Sequence, residues 1–295
     1  MRYAAIDIGS NAVRLLIADL IENNGSISFK KNTLIRVPLR LGDDAFLQQH
    51  ISDRKAADLV KTMNAFRNLM DVYKVTDYLA YATSAMREAK NGQDIVRTIK
   101  ETADLDLEII TGQKEAKIIY SNHAEQNIDK SKIYLYIDVG GGSTELSLFS
   151  DGKLQASRSF NIGTIRILDN QDKEETWNEM REFIREHTRQ FKVVSGIGTG
   201  GNINKLYKLS EEKNGAPLTF IKLKSLYSYL NSFSLKDRIN VLGINQDRAD
   251  VIIPACEIYL SVMKWANMKH IYVPSLGLVD GIIQVLIEKN YQEAG

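Results

Sequence analysis

Two short turns, at residues 7–11 and 138–145, combine an aspartate with glycines and small polar side chains. Glycines leave backbone N–H groups accessible to an anion, and hydroxyl and amide groups add further donors. An aspartate at a strand end can hold a metal ion that neutralises phosphate oxygens. The turns therefore predict a phosphate-bearing ligand, against the alternative of glycine-rich hairpins that bind nothing. The candidate phosphate ligands are Ser10 and Asn11 in the first turn and Gly140, Gly141, Gly142, Ser143 and Thr144 in the second.

A third glycine cluster occupies residues 196–202, between a predicted strand at 193–196 and a predicted helix at 203–209. A glycine-rich turn between a strand and a helix places backbone N–H groups at a helix N-terminus, where an anion is stabilised. A plain tight turn is an equally good interpretation of the same residues. The candidate contacts here are Gly198, Gly200 and Gly201.

Two charged residues lie just after predicted strands. Arg87 follows the strand at 78–82, and the carboxyl ends of strands line the ligand crevice in α/β folds. Its guanidinium could bind two phosphate oxygens, although a surface arginine at a helix start is the simpler alternative. Glu115 lies in the first turn of a predicted helix at 114–126, where a carboxylate is stabilised in any case. No histidine lies in these turns, so hydrolysis by water would need a carboxylate base.

The elements that must position these residues follow a repeated order. Apolar runs at 3–8, 12–20 and 26–34 predict a strand meander, with a turn at Asn24 and Gly25. Helices and strands then alternate, beginning with a helix at 52–73 that Ser52 is predicted to cap. The meander recurs at 133–139, 145–150 and 153–160. This order predicts an α/β fold with two related lobes across a central cleft. We assign residues 1–125 and 126–295 to the lobes, with the last helix, at 277–289, able to pack back on the first lobe.

The composition limits the kinds of partner. The chain has 295 residues, with 38 basic and 37 acidic side chains and a net charge of +1. Proteins that coat nucleic acid or anionic membranes usually carry a basic excess, so we expect neither partner. Cys256 is the single cysteine, which excludes an internal disulfide and fits a reducing compartment. No apolar stretch is long enough to span a membrane. We expect a cytoplasmic protein, with a homodimer as the default assembly.

Five segments together resemble the exopolyphosphatase/guanosine pentaphosphate phosphohydrolase (Ppx/GppA) family, which belongs to the actin, sugar-kinase and Hsp70 (ASKHA) superfamily. They are residues 6–15, 82–87, 110–116, 137–145 and 196–201. A sugar kinase would share the Asp-x-Gly turns but would lack the Thr-Ser-Ala-x-Arg and Gly-x-x-Glu-Ala elements. The resemblance implies two actin-like, ribonuclease H-like lobes. It also implies hydrolysis of terminal phosphoanhydride bonds in inorganic polyphosphate or guanosine pentaphosphate.

The resemblance implies a role for each motif. Glu115 would orient and deprotonate the attacking water, and Arg87 would clamp the terminal phosphate. Mg²⁺, or Mn²⁺ as the second choice, would be held by Asp138 and Glu145, with Asp7 as a third candidate ligand. Ser10, Asn11, Gly141, Gly142 and Ser143 would cradle the phosphate.

Two departures from the family pattern affect these expectations. Asn202 stands where members often have threonine, and Val279-Asp280-Gly281 stands where many have an Arg-Glu-Gly element, with Asp280 in place of the glutamate. The basic residue is missing there, so we expect weaker distal contacts. A non-catalytic sensor of polyphosphate or guanosine tetraphosphate and a kinase of the same superfamily are the alternative functions.

Overall fold

Two units, each with its own sheet, make up the computed structural model of this chain. The structure describes residues 1–23, 26–121, 129, 131–213, 215–274 and 276–292. The first unit is Met1–Asn127 with Gly277–Gly295, and the second is Ile128–Leu276. The last segment of the chain therefore belongs with the first unit. The boundary predicted at residues 125 and 126 lies outside the described residues, as does the predicted turn at Asn24 and Gly25.

The sheet of the first unit has five strands in the order β3-β2-β1-β4-β5. They are β1 (Arg2–Ile8), β2 (Val13–Asn23), β3 (Ser26–Val37), β4 (Asp77–Ala82) and β5 (Glu108–Ile109). The first three strands form an antiparallel meander, and β4 and β5 add parallel to β1. Residues 3–8 of β1 are all buried, as expected for an apolar strand at the centre of a sheet covered on both faces.

Among the described residues, the first unit has six helices. They are α1 (Leu41–Gln48), α2 (Asp53–Val72), α3 (Ser84–Glu88), α4 (Gly92–Ala103), α5 (Gly112–Ser121) and, from the other end of the chain, α13 (Leu278–Gln292). Helices α5 and α13 share a core with β1 and β2 that includes Ala5, Leu16 and Ile283. Gly281 makes this packing possible, because a Cβ there would lie 2.0 Å from the carbonyl oxygen of Ile118.

The predicted cap of α2 is confirmed in its position but not in its side-chain bond. Ser52 occupies the N-cap position, but its side chain makes no capping bond. Instead its hydroxyl donates to Asp44 Oδ2 at 2.5 Å, and its amide donates to the same oxygen at 3.0 Å. The two bonds hold Ser52 to Asp44, and the Ser52 hydroxyl oxygen accepts no bond from the first amides of α2.

The second unit repeats the strand order of the first. Its strands are β6 (Tyr134–Val139), β7 (Thr144–Ser150), β8 (Lys153–Phe160), β9 (Ser195–Thr199), β10 (Leu218–Thr219) and β11 (His270–Tyr272). They lie in the order β10-β11-β9-β6-β7-β8, with β6, β7 and β8 antiparallel and β9 parallel to β6. Both sheets thus consist of a three-strand meander with two parallel strands beside its first strand, and the second sheet adds β10, antiparallel to β11, at its edge. The predicted repeat is confirmed.

The described part of the second unit has seven helices. They are α6 (Thr164–Leu168), α7 (Glu174–Thr188), α8 (Gly201–Leu209), α9 (Phe220–Asn231), α10 (Leu235–Asn240), α11 (Gln246–Ala249) and α12 (Ile252–Trp265). Cys256 lies fully buried on α12 in the core. None of the helices within the described ranges is both long and apolar enough to cross a bilayer.

Candidate active site

In the first unit, Asp7 near the end of β1 lies directly opposite Arg14 on β2. Arg14 Nη1 is 2.5 Å from Asp7 Oδ2, and Asp7 is only 3% exposed. Burial raises the pKa of the Asp7 carboxyl, and the Arg14 guanidinium acts in the opposite direction. An ionised Asp7 thus depends on Arg14 for its neutralisation. This pairing engages one oxygen of the carboxylate that the sequence offered as a third metal ligand, and that role of Asp7 stays a prediction.

The turn that carries Ser10 and Asn11 is held by the segment that follows β3. The amide of Gly42 donates to the Ser10 carbonyl at 2.9 Å, and the amide of Arg40 donates to the Asn11 carbonyl at 3.0 Å. The hydroxyl oxygens of Ser10 and Ser84 are 2.8 Å apart. These bonds fix the backbone of the turn. The sequence analysis missed the contribution of residues 40–42, for which an Arg-Leu-Gly segment directly after a strand was the available signal.

Arg87 and Glu115, the two residues to which the resemblance assigns catalysis, lie close together in the first unit. Arg87 Nη1 donates to the carbonyl of Ile110 at 2.7 Å and lies 4.0 Å from Glu115 Oε2. Glu115 is 8% exposed in the first turn of α5, where the helix dipole stabilises a carboxylate. Such a carboxylate could accept a proton from water, and the adjacent guanidinium could bind phosphate oxygens.

In the second unit, Asp138 and Glu145 occupy the positions that Asp7 and Arg14 hold in the first. They lie directly opposite each other on β6 and β7, so their side chains share one face of the sheet. Glu145 is 4% exposed and accepts a hydrogen bond from Ser159 Oγ at 2.8 Å. Like charges in this arrangement repel, which a divalent cation bound by both would relieve.

The donor set around Asp138 and Glu145 suits magnesium better than zinc. Mg²⁺ takes oxygen ligands and usually keeps several waters, so one or two carboxylates are enough to hold it. Zinc sites, by contrast, are usually built from three or four cysteine, histidine or carboxylate ligands. Among the described residues, no three or more histidine, cysteine, aspartate and glutamate side chains form such a group.

The loop between β6 and β7 carries the predicted phosphate ligands Gly140, Gly141, Gly142 and Ser143. The amide of Gly140 donates to the Ser143 carbonyl at 2.9 Å, which closes the turn. Thr144 is fully buried, and its hydroxyl donates to the carbonyl of Ile162 at 2.6 Å. The Thr144 side chain therefore fixes the end of the loop, and we assign it no contact with a ligand.

Gly163 and Arg166, which the sequence analysis missed, lie directly against this loop. A Cβ at Gly163 would lie 2.4 Å from the carbonyl oxygen of Gly141. Arg166 is 7% exposed, and its Nε donates to the carbonyl of Gly142 at 2.6 Å. The available signal was a Gly-Thr-Ile-Arg sequence just after a predicted strand, which places a glycine and a cation at the start of a short helix.

The third glycine cluster is divided between β9 and the start of α8. Gly198 lies inside β9, where a Cβ would come within 2.9 Å of Ile203 and Ile271. Its lack of a side chain thus serves packing. Gly200 adopts a φ of 91°, and a Cβ there would lie 2.5 Å from Asp138 Oδ1. Only glycine lets the turn approach the Asp138 carboxylate this closely.

The start of α8 is tied to the neighbouring strand. Gly201 is the first residue of α8, so its amide belongs to the helix N-terminus. Asn202, at the first departure from the family pattern, donates from Nδ2 to the carbonyl of Val139 at 3.3 Å. The asparagine thus connects α8 with the end of β6. The loop of residues 140–142 and the turn at Gly200 therefore both lie near Asp138.

Asp280, at the second departure, has a basic partner from elsewhere in the first unit. Its Oδ1 lies 2.6 Å from Lys31 Nζ on β3, and its Oδ2 accepts from the amide of Gly277 at 2.9 Å. The sequence shows no basic residue next to Asp280, but the fold supplies one from β3.

Comparison with known proteins gives relatives along nearly the whole chain. The chain is 26% identical over 293 residues to a bifunctional 3-dehydroquinate synthase/phosphatase of Fusobacterium nucleatum, covering 92% of this chain but only 44% of that relative. It is 22% identical over 306 residues to exopolyphosphatase 1 of Mycobacterium tuberculosis, covering 96% of this chain and 87% of the relative.

The fold is shared with a solved structure. A crystal structure of an exopolyphosphatase from Cytophaga hutchinsonii superposes with a TM-score of 0.85 at 23% identity and covers 98% of both chains. This likeness confirms the predicted fold class, α/β with two sheets. The family model described as the Ppx/GppA phosphatase family matches residues 22–290. The chain therefore belongs to the Ppx/GppA phosphatase family.

Proposed function

We propose that this chain releases the terminal phosphate of inorganic polyphosphate through Mg²⁺-assisted attack of a water molecule activated by Glu115. The observation that carries the proposal is the pairing of a buried carboxylate with a guanidinium 4.0 Å away at Arg87. The names of the relatives from Mycobacterium tuberculosis and Cytophaga hutchinsonii, both exopolyphosphatases, support polyphosphate as the substrate. Guanosine pentaphosphate presents the same kind of terminal group and is the second candidate.

The first unit is assigned the activation of water. Glu115 accepts a proton as the water oxygen attacks the terminal phosphorus, and the phosphoanhydride bond to the leaving phosphate breaks. Arg87 binds oxygens of the phosphate under attack, which lowers the cost of bringing an anion close to a carboxylate. The bond from Arg87 to the carbonyl of Ile110 holds the guanidinium next to α5. Ser10 and Asn11 contribute donors from a turn whose backbone is already fixed.

The second unit is assigned the neutralisation of phosphate charge. Asp138 and Glu145 would hold Mg²⁺, which when bound neutralises phosphate oxygens as negative charge develops on the leaving group. The amides of Gly141, Gly142 and Ser143 would bind phosphate oxygens as a nest. Gly200 keeps the space beside Asp138 free of a side chain. Mn²⁺ has the same preference for oxygen ligands and would be the second choice of metal.

A phosphate-release assay tests the proposal. Purified protein with Mg²⁺ should release phosphate from polyphosphate of defined lengths or from guanosine pentaphosphate. The variant Glu115→Gln should lower kcat by about 10²–10⁴-fold, the usual contribution of a general base, and should still bind polyphosphate. Glu108→Gln is the matched control, since Glu108 is an exposed glutamate paired with Lys114 in the same unit.

The outcomes separate the alternatives. Release of phosphate that needs Glu115 but not Glu108 would support the hydrolase. Tight binding of polyphosphate by the wild-type protein without turnover would replace the hydrolase by a sensor. Phosphate transfer from ATP to a small acceptor would instead indicate a kinase. An unchanged rate in Glu115→Gln would remove the proposed base.

A further inference from the structure

Three successive carbonyl groups of the loop between β6 and β7 are bound by one partner, the start of α6. The amide of Thr164 donates to Gly140 at 3.0 Å, the amide of Ile165 to Gly141 at 2.8 Å, and Arg166 Nε to Gly142 at 2.6 Å. The first amides of α6 are occupied by these carbonyls, so they are not available to a ligand. All three glycine carbonyls therefore face α6.

The amides that follow these carbonyls must face the other way. In a planar trans peptide, the C=O of one residue and the N–H of the next point in opposite directions. The N–H groups of Gly141, Gly142 and Ser143 thus point away from α6. Within the part of the chain that the structure describes, no group accepts a hydrogen bond from these three amides. Buried N–H groups without an acceptor are costly, so this row of donors suits an anion.

The Gly142 peptide differs from those of Gly140 and Gly141 in the kind of group that donates to its carbonyl. The carbonyls of Gly140 and Gly141 are held by backbone amides of α6, and any residue except proline at those positions would supply the same amide. The carbonyl of Gly142 is held by a side chain, that of Arg166. A glycine has the freedom to rotate its peptide when such a bond is lost. The orientation of the Ser143 amide therefore depends on the residue at position 166.

We propose that Arg166 is a positioning residue for phosphate binding, which keeps the Gly142 carbonyl against α6 so that the Ser143 amide joins those of Gly141 and Gly142 in binding a phosphate group. The inference rests on the proposed function for the identity of the substrate phosphate. Arg166 itself is assigned no contact with phosphate, because it is buried behind the loop.

Variants at Arg166 test this role. Arg166→Met removes the donor but keeps the length of the side chain, and Arg166→Lys keeps a donor and the charge. In the presence of Mg²⁺, we expect Arg166→Met to weaken the binding of inorganic phosphate and tripolyphosphate at least about 10-fold and to lower kcat by roughly 10²-fold, as for the loss of one aligned donor. Arg166→Lys should recover part of both.

Arg238→Met is the matched control in the same unit. Arg238 lies on α10, and its Nε also donates to a backbone carbonyl, that of Leu230 at 2.9 Å. This variant should lose thermal stability and keep the phosphate affinity and kcat of the wild type, both measured well below its Tm. If Arg166 had only a structural role, Arg166→Met would likewise lose thermal stability and keep the phosphate affinity and kcat of the wild type.

Amide NMR signals give a readout that does not depend on turnover. In wild-type protein labelled with ¹⁵N, phosphate should shift the amide signals of Gly141, Gly142 and Ser143. In Arg166→Met, or in Arg166→Lys if the methionine variant does not fold, the Ser143 shift should be reduced or lost. If phosphate did not shift these three amide signals in the wild type, the inference would be overturned.

The inference and the proposed function can fail separately. Phosphate binding that depends on Arg166, in a protein that releases no phosphate from either substrate, would support the positioning role and reject the hydrolase. Phosphate release and affinity that do not change in either Arg166 variant would reject the positioning role and leave the hydrolase standing. A wild-type protein that neither binds phosphate nor hydrolyses these substrates would reject both.

Discussion

The first strand of each sheet ends near an aspartate, but the residue that faces this aspartate differs between the two units. In the first unit Asp7 faces Arg14, and in the second unit Asp138 faces Glu145. Asp138 follows Asp7 by 131 residues, and Glu145 follows Arg14 by the same 131. The two pairs are thus equivalent positions of one repeat, with a cation at one place and a carboxylate at the other.

This single difference determines how each aspartate can be neutralised. Arg14 neutralises Asp7 within the chain, at 2.5 Å. Glu145 adds a second negative charge beside Asp138, and a cation from solution is the simplest group that could balance both. A repeated strand order therefore positions the same aspartate twice, and the opposing residue on the next strand decides whether that position forms an ion pair or a candidate metal site.

Exchanging the opposing residue is the strongest test of the comparison. Glu145→Arg would give the second unit the pairing of the first, with the new guanidinium opposite Asp138. We expect Mg²⁺-dependent phosphate release to fall by about 10³-fold, since a bound metal contributes several kcal/mol to charge stabilisation. Mg²⁺ at about 100 times its Kd should stabilise the wild type by about 2.7 kcal/mol and the variant not at all. Phosphate assays and urea unfolding with and without Mg²⁺ measure both.

Glu145→Gln separates the loss of a ligand from the gain of a cation. This control should also lose Mg²⁺-dependent phosphate release. In urea unfolding without Mg²⁺, it should lack the stability that the new ion pair gives to Glu145→Arg. If Glu145→Arg kept the Mg²⁺ dependence of the wild type, the two units would not differ in the way that their opposed residues indicate.

The converse test breaks the ion pair of the first unit. Arg14→Met would leave the Asp7 carboxylate, 3% exposed, without its partner. Removing one member of a buried pair costs about 3–5 kcal/mol, and we expect the lower end because the Arg14 side chain is 27% exposed. The free energy of unfolding from urea titrations gives the effect.

A double variant shows whether the cost comes from the stranded charge. Asp7→Asn combined with Arg14→Met should recover much of the lost stability, because no unpaired carboxylate remains buried. Equal losses in the single and double variants would mean that Arg14 stabilises the unit by packing and not by neutralising Asp7.

The parts of this architecture that were predictable depend on patterns within a few residues. The apolar runs before Asp7 and Asp138 and the glycines after them predicted two related meanders, because strand periodicity and turn chemistry are local properties. The register that places Asp138 opposite Glu145 follows from a tight turn between two strands. The division of the chain into two related sheets was therefore available from the sequence.

The parts that were missed depend on contacts between distant segments. Arg166 lies 24 residues beyond Gly142, and nothing near either residue indicates that they meet. Ser52 was expected to cap α2 with its side chain, but its hydroxyl instead donates to Asp44 of the preceding helix. Gly198 was counted with the ligand-binding glycines, and the close approach of Ile203 and Ile271 to its Cα is a packing constraint that the sequence did not indicate. Local residue types suggest what a group can do, and tertiary packing decides which partner it has.

The pairing of Asp280 with Lys31 extends the comparison to a second acid–base pair of the first unit, with the smallest expected effect. Burial raises the pKa of Asp280, while Lys31 and the Gly277 amide act in the opposite direction. The folded protein thus holds the Asp280 proton more tightly than the unfolded chain does. The contribution of Asp280 to the free energy of unfolding should be largest below the ordinary aspartate pKa of about 3.9 and should fall as the pH rises through its higher folded pKa.

Asp280→Asn provides the reference because asparagine does not titrate and can still accept the bond from Gly277. The stability of the wild type relative to this variant should decline from about pH 4 towards neutral pH, by roughly 1.4 kcal/mol for each unit of pKa shift. Lys31→Met should deepen the decline, since it removes the cation that favours the ionised form. Urea unfolding at constant ionic strength would measure the difference. A difference that rises with pH would mean that the Lys31 ammonium outweighs burial at Asp280.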